Sequence, residues 1–119
     1  MSRDPLRLND YLAHILEAIS RIHEYLEDVD EVGFLSNHLV QDAVIRNFEI
    51  IGEACKRVPV EIRDRFADIP WKEAAGFRDV LIHDYPEIII DEVYFTAKNQ
   101  LPEFRNQIQH VLESLGQDK

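Results

Sequence analysis

Leu8, Leu12, Ile15, Ile19, Ile22 and Leu26 recur at alternating steps of four and three residues. That spacing places them on one face of a helix, predicted over residues 6–27. Pro5 suits the start of this helix, where a backbone N–H would have no partner in any case. The run Glu27-Asp28-Val29-Asp30-Glu31-Val32-Gly33 is expected to end it. A second helix is predicted over about 37–57, capped by Ser36 or Asn37. Val40, Val44, Phe48, Ile51, Cys55 and Val58 form its inner stripe, and Pro59 stops it. A short helix fits 60–66, and Pro70 closes the loop after it. The next helix runs from about Trp71 to His83. Pro86 ends it and pushes the preceding residue away from helical angles, leaving Tyr85 just outside regular helix. The last helix is predicted from Glu87 to Leu115, with Ile90, Val93, Ala97, Leu101, Phe104, Ile108, Val111 and Leu115 on one face. Pro102 falls inside that pattern and should kink or break it. Ile88-Ile89-Ile90 fits this helix better than a strand. Four substantial amphipathic helices with short connections predict an all-α, up-and-down four-helix bundle with a short additional helix, as one domain over 1–119.

Composition agrees with one domain that needs no covalent staples. The chain has 119 residues, 45% of them apolar, and one cysteine, so no internal disulfide can form. Cys55 reads as a small buried hydrophobe. No apolar run approaches the roughly 20 residues that span a bilayer. The opening residues lack the apolar core of a signal peptide, so a soluble, cytoplasmic protein is expected.

Charge changes the picture more. The net charge of -10 opposes general binding to nucleic acid, which depends on neutralising phosphates. It is unevenly spread: residues 1–44 carry 3 basic and 9 acidic side chains, 45–83 carry 7 and 7, and 84–119 carry 3 and 7. An anion-binding surface is therefore expected to be local and drawn from Arg46, Lys56, Arg57, Arg63, Arg65, Lys72 and Arg78. The plainer reading of most of these is an ordinary solvated side chain. The acidic remainder could equally meet a basic protein partner.

None of the five histidines makes a convincing metal-ligand pair at helical spacing, so neither a metal nor another cofactor is expected. His14, His23, His38 and His110 read as surface or boundary residues. His83 differs through its neighbours, in Arg78-x4-His83-x-Tyr85 at the end of a helix. Histidine exchanges a proton near neutral pH, and arginine holds a phosphate in a charged fork. Cleavage of RNA without a metal needs these two residue types. One group moves the proton of the 2′-hydroxyl or of the departing 5′-oxygen, and another stabilises the charge on the phosphorane. An arginine and a histidine five apart are also common in ordinary helices. On an ideal helix the two point about 140° apart, while Tyr85 returns close to the direction of Arg78. Either the helix loosens near Pro86, or a two-fold dimer brings two copies of the segment face to face; the dimer is the reading adopted. Asn47 lies near the inner stripe, either buried and supporting the motif helix or at a boundary with its amide in water. Trp71 reads as core or dimer interface rather than as a platform for a base.

Arg78-x4-His83, with polar Asp79 directly after the arginine, resembles the signature of the HEPN ribonucleases. The extension to Tyr85 is similar to the HepT toxin branch. So are Arg46-Asn47-Phe48-Glu49-Ile50-Ile51-Gly52-Glu53-Ala54-Cys55-Lys56-Arg57-Val58-Pro59 and Ile69-Pro70-Trp71-Lys72-Glu73-Ala74-Ala75-Gly76-Phe77. The resemblance implies a homodimer with the motifs at its interface, acting as a metal-independent endoribonuclease toxin of a toxin–antitoxin pair. It implies His83 as acid or base, Arg78 on the scissile phosphate, Asp79 orienting the site, and a 2′,3′-cyclic phosphate product. It also implies an MntA-type minimal nucleotidyltransferase antitoxin that attaches AMP to Tyr85, a bulky anion that would block the cleft and repel RNA. Apart from the resemblance, Tyr85 is a helix-end aromatic with a hydrogen-bonded hydroxyl. Two other readings stay open: a non-catalytic helical subunit that partners a nucleotidyltransferase, which the charge of -10 favours, and a dimerisation domain without an active site.

Overall fold

The computed structural model describes the backbone of residues 5–83 and 86–117, and the side chains of 7–77 and 90–116. Among the described residues the chain is all helical, as the periodicity predicts. The helices are α1 (Pro5–Tyr25), α2 (Glu31–Leu35), α3 (His38–Arg57), α4 (Val60–Arg65), α5 (Trp71–His83), α6 (Pro86–Asn99) and α7 (Leu101–Gln117). They fill an elongated body of 47 × 28 × 22 Å.

α3 is the helix that the others surround. Its buried residues are Gln41, Val44, Asn47, Phe48, Ile51, Gly52, Ala54 and Cys55. By helical geometry these, with Val58, cover an arc of about 160°, wider than the stripe of about 100° that a helix with one neighbour needs. α1 and α5 supply the two neighbours. From α1 the predicted stripe of Leu12, Ile15, Ile19, Ile22 and Leu26 is buried. α7 closes the other side of α1 through Phe104, Ile108 and Val111. Asn37 caps α3, accepting from the Val40 N–H at 3.1 Å. At the far end the chain turns at Val58 before Pro59, and the Arg63 Nε–H donates to the Val58 carbonyl at 3.1 Å.

One part departs from the sequence reading. The acidic run after α1 does end that helix, but it also starts another. Asp30 caps α2 by accepting from the Gly33 N–H at 2.8 Å. A Cβ on Gly33 would sit 3.2 Å from that carboxylate oxygen, so glycine permits the approach. Phe34 on α2 is fully buried, its ring 5.4 Å from that of Tyr94, and its carbonyl accepts from the Gln41 side chain. α6 holds the α1–α2 connection from outside. The Tyr94 hydroxyl donates to the Val29 carbonyl at 3.1 Å, and the Lys98 ammonium to that of Leu26 at 3.5 Å.

At Pro102 the predicted last helix breaks in two, one of the two outcomes expected of that proline. The Gln100 N–H still reaches the Thr96 carbonyl, and the Phe104 N–H bonds to Gln100. Pro102 between them has no N–H to give. Its place near the start of α7 is where that loss is cheapest. Among the described residues the bundle therefore has five substantial helices and two short ones, where four and one were expected. Among the described residues no helix is long and apolar enough to cross a membrane.

Replacing Phe34 with alanine should lower unfolding stability by about 3–5 kcal/mol, through a cavity in the core. Tyr94→Phe, which keeps the ring and loses the bond to Val29, should cost about 1 kcal/mol. Urea denaturation of both variants would measure the difference.

Candidate active site

Local contacts seat the first half of α5 firmly. The helix opens at Trp71, whose ring is buried and whose Nε1–H donates to the Phe66 carbonyl at 3.1 Å. Two turns on, Phe77 meets Phe48 of α3 edge to face, with ring centres 5.1 Å apart and planes at 83°. Edge-to-face pairs align the positive ring edge with a negative face and add to the burial itself. The Trp71 expectation is met as core. Arg78 and Asp79 follow Phe77 directly, and His83 is the last residue of α5.

The side chains of Arg78, Asp79 and His83 lie outside the described residues, and Tyr85 lies outside them altogether. The backbone does bear on one point. α5 is regular helix through His83, so the chain does not loosen between Arg78 and His83. Five helical steps set those Cα positions about 7.5 Å apart along the axis and about 140° apart around it.

Asn47, on the flank of α3's buried face, is 4% exposed. Its Nδ2 donates back along α3 to the Ala43 carbonyl at 2.9 Å. Its Oδ1 has no partner among the described residues. Of the two readings left open, burial is the observed one. The next residue, Phe48, meets Phe77 of α5.

Several basic residues of the middle segment are engaged near where they stand. Arg46 is 3.7 Å from Glu49 and Arg57 is 3.2 Å from Glu53. The Glu53 bond, and then one with Tyr11, hold the Arg57 guanidinium above its ordinary pKa. Arg65 lies over the Phe66 ring. Cys55 is buried, and burial raises its thiol from an ordinary 9.0 to about 12, against a smaller lowering by Arg63. A thiol held neutral in this way is no nucleophile at physiological pH. His14, His23, His38 and His110 are exposed. Among the described residues no three His, Cys, Asp or Glu groups are placed to share a metal ion.

One feature beside the motif helix escaped the sequence reading. A groove of about 580 Å³ opens between α3, α5, α6 and α7. Phe48, Ile51, Phe77, Leu101 and Phe104 line its apolar part, and Asp68, Glu73, Glu92 and Glu103 its rim. Reading 87–115 as one helix hid it, because the break at Gln100 places the end of α6 and the start of α7 on its wall.

A sequence profile described as Ribonuclease HepT-like matches residues 15–111, from within α1 to within α7 and including all of α5. The chain belongs to the HepT-like ribonuclease family. Its relatives include a protein of Methanocaldococcus jannaschii named as a gamma-glutamylcyclotransferase and candidate RNase. That protein is 42% identical over 109 residues, covering 92% of this chain and 49% of the relative. The chain thus spans about half the length of that protein. A candidate RNase of the same organism is 38% identical over 105 residues, covering 88% of this chain and 90% of its own length. A probable ribonuclease HepT of Thermococcus cleftensis is 38% identical over 102 residues, covering 86% and 93%. No solved structure matches the chain.

For this HepT-like chain, Cys55 should resist a thiol-specific disulfide reagent at pH 8 and react fully once urea has unfolded the protein. Burial raises the folded pKa, so the folded state loses stability relative to the unfolded one as pH rises from about 9 towards about 12. Cys55→Val should flatten that part of the stability–pH curve.

Proposed function

We propose that this HepT-like chain is a metal-independent endoribonuclease toxin that cuts RNA at a site built from two copies of α5. One observation carries the reading: Arg78-x4-His83 lies on one uninterrupted helix within the span that matches a ribonuclease family. His83 moves the proton, taking it from the 2′-hydroxyl or giving it to the leaving 5′-oxygen. Arg78 holds the scissile phosphate and stabilises the phosphorane through a charged fork. Asp79 orients these groups. The product end is a 2′,3′-cyclic phosphate.

The unbroken helix favours a shared site over one contained in a single copy, since Cα positions about 140° apart do not face one phosphate. A two-fold axis beside α5 supplies the arginine and histidine of a second subunit. Control falls to a nucleotidyltransferase antitoxin that attaches AMP to Tyr85, placing an anion two residues from His83. A second reading, a non-catalytic subunit that partners such an enzyme, draws support from the charge of -10 and the acidic groove beside α5.

Purified, unmodified protein incubated with RNA in EDTA should release fragments ending in cyclic phosphate. Arg78→Ala and His83→Ala should each slow this by at least about 100-fold, while sedimentation shows the same dimer. Intact RNA in the wild-type reaction would move the balance to the non-catalytic subunit. Co-expression with the nucleotidyltransferase should add the mass of AMP to the wild type and none to Tyr85→Phe.

A further inference from the structure

We propose that the groove between α3, α5, α6 and α7 docks a basic amphipathic helix of a partner protein. This does not rest on the nuclease reading. Its floor carries the rings of Phe48, Phe77 and Phe104, a surface suited to the apolar face of a helix. Its rim holds Asp68, Glu73, Glu92 and Glu103, and among the described residues no lysine, arginine or histidine lines it. All four carboxylates belong to exposed residues. None of them makes an ion pair among the described residues, whereas Glu17, Glu49 and Glu53 each have an arginine within 4 Å. A partner carrying spaced cations finds four acceptors that have no cation partner among the described residues.

The charge pattern also selects the kind of partner. RNA would bring its phosphates against four carboxylates, which repels it from this face. A small cation has no cluster to hold it, since no three ligating groups come together among the described residues. A second copy meeting this groove with its own would set carboxylates against carboxylates. A volume of about 580 Å³ falls in the range of well-formed binding clefts. The open rim lets a helix lie along it with its apolar side chains on the aromatic floor. Phe77 immediately precedes Arg78, so an occupant of the groove touches the motif helix at the turn before its arginine.

The probe is a labelled synthetic helical peptide with leucines on one face and lysines flanking them, titrated into the full chain and read by fluorescence anisotropy. Backbone amide shifts in the unsubstituted protein should change at Phe48, Phe77, Thr96 and Phe104. The triple variant Glu73→Lys, Glu92→Lys, Glu103→Lys should bind at least about tenfold more weakly. A control with the same change in charge at exposed α1 and α3 positions, Asp10→Lys, Glu24→Lys, Asp42→Lys, should lose less than about twofold, because those charges lie off the interface. Equal losses in the two triple variants would overturn the proposal, since attraction would then be general to an acidic protein. Shifts confined to another face would overturn it too, as would equal binding of the peptide with its lysines changed to glutamate. Self-association of the wild type that the rim substitutions remove would identify a second copy as the occupant, and a labelled RNA that shifts the same amides would identify nucleic acid; either result refutes the partner helix.

Discussion

The fold depends on α3 losing water from two sides at once. A buried arc of about 160° cannot be covered by one neighbouring helix. Val44, Phe48, Ile51 and Cys55 stay dry because α1 lies against one flank and α5 against the other. This makes the position of α5 a matter of core packing. The Phe48–Phe77 contact and the buried Trp71 ring belong to the same apolar interior that holds α1 in place. Arg78 follows Phe77 without a break in the helix, so its backbone inherits that seat. A motif mounted on a rigid helix is better placed for phosphate chemistry than one on a mobile loop, since small errors in geometry cost large factors in rate.

Electrostatics divide the molecule differently from packing. The ends of the chain are acidic and the middle is neutral, but that neutrality is not a basic patch. Arg46, Arg57 and Arg63 each find a partner close by in sequence: Glu49, Glu53 and the Val58 carbonyl. Pairs of this exposed kind contribute little to stability. Their effect here is to leave few cations between 45 and 77 uncommitted for an anion. In the proposed nuclease, contact with RNA is then concentrated on the motif helix, and binding should be local and weak away from it. The same economy of positive charge leaves the described rim of the groove beside α5 acidic.

Much of the architecture could be read from the order of residues because its causes are local. The stripe of α1, the Asn37 cap, the stop before Pro59 and the start of α5 at Trp71 each follow from a few adjacent side chains. α2 was hidden because Gly33 and a run of acids resemble a plain terminator. Its helix exists through the Asp30 cap and through Phe34, which reaches across to Tyr94 some sixty residues away. Asn47 stood near the stripe in sequence, but whether its amide met water or core depended on neighbours contributed by other helices. The break at Pro102 was anticipated as a kink or a break. Only the separate packing of α6 over the α1–α2 connection and of α7 against α1 decided between them.

The sequence by itself determined that the chain is helical and that Arg78 and His83 share one helix ending before Pro86. Periodicity and motif spacing are properties of consecutive residues, and they survive without any long-range contact. The tertiary structure decided that Phe48 and Phe77 meet, that Cys55 is sealed and inert, and that four separated carboxylates ring one aromatic groove. Those outcomes depend on which helix faces which, and that is set by the joint burial of several apolar stripes rather than by any one segment.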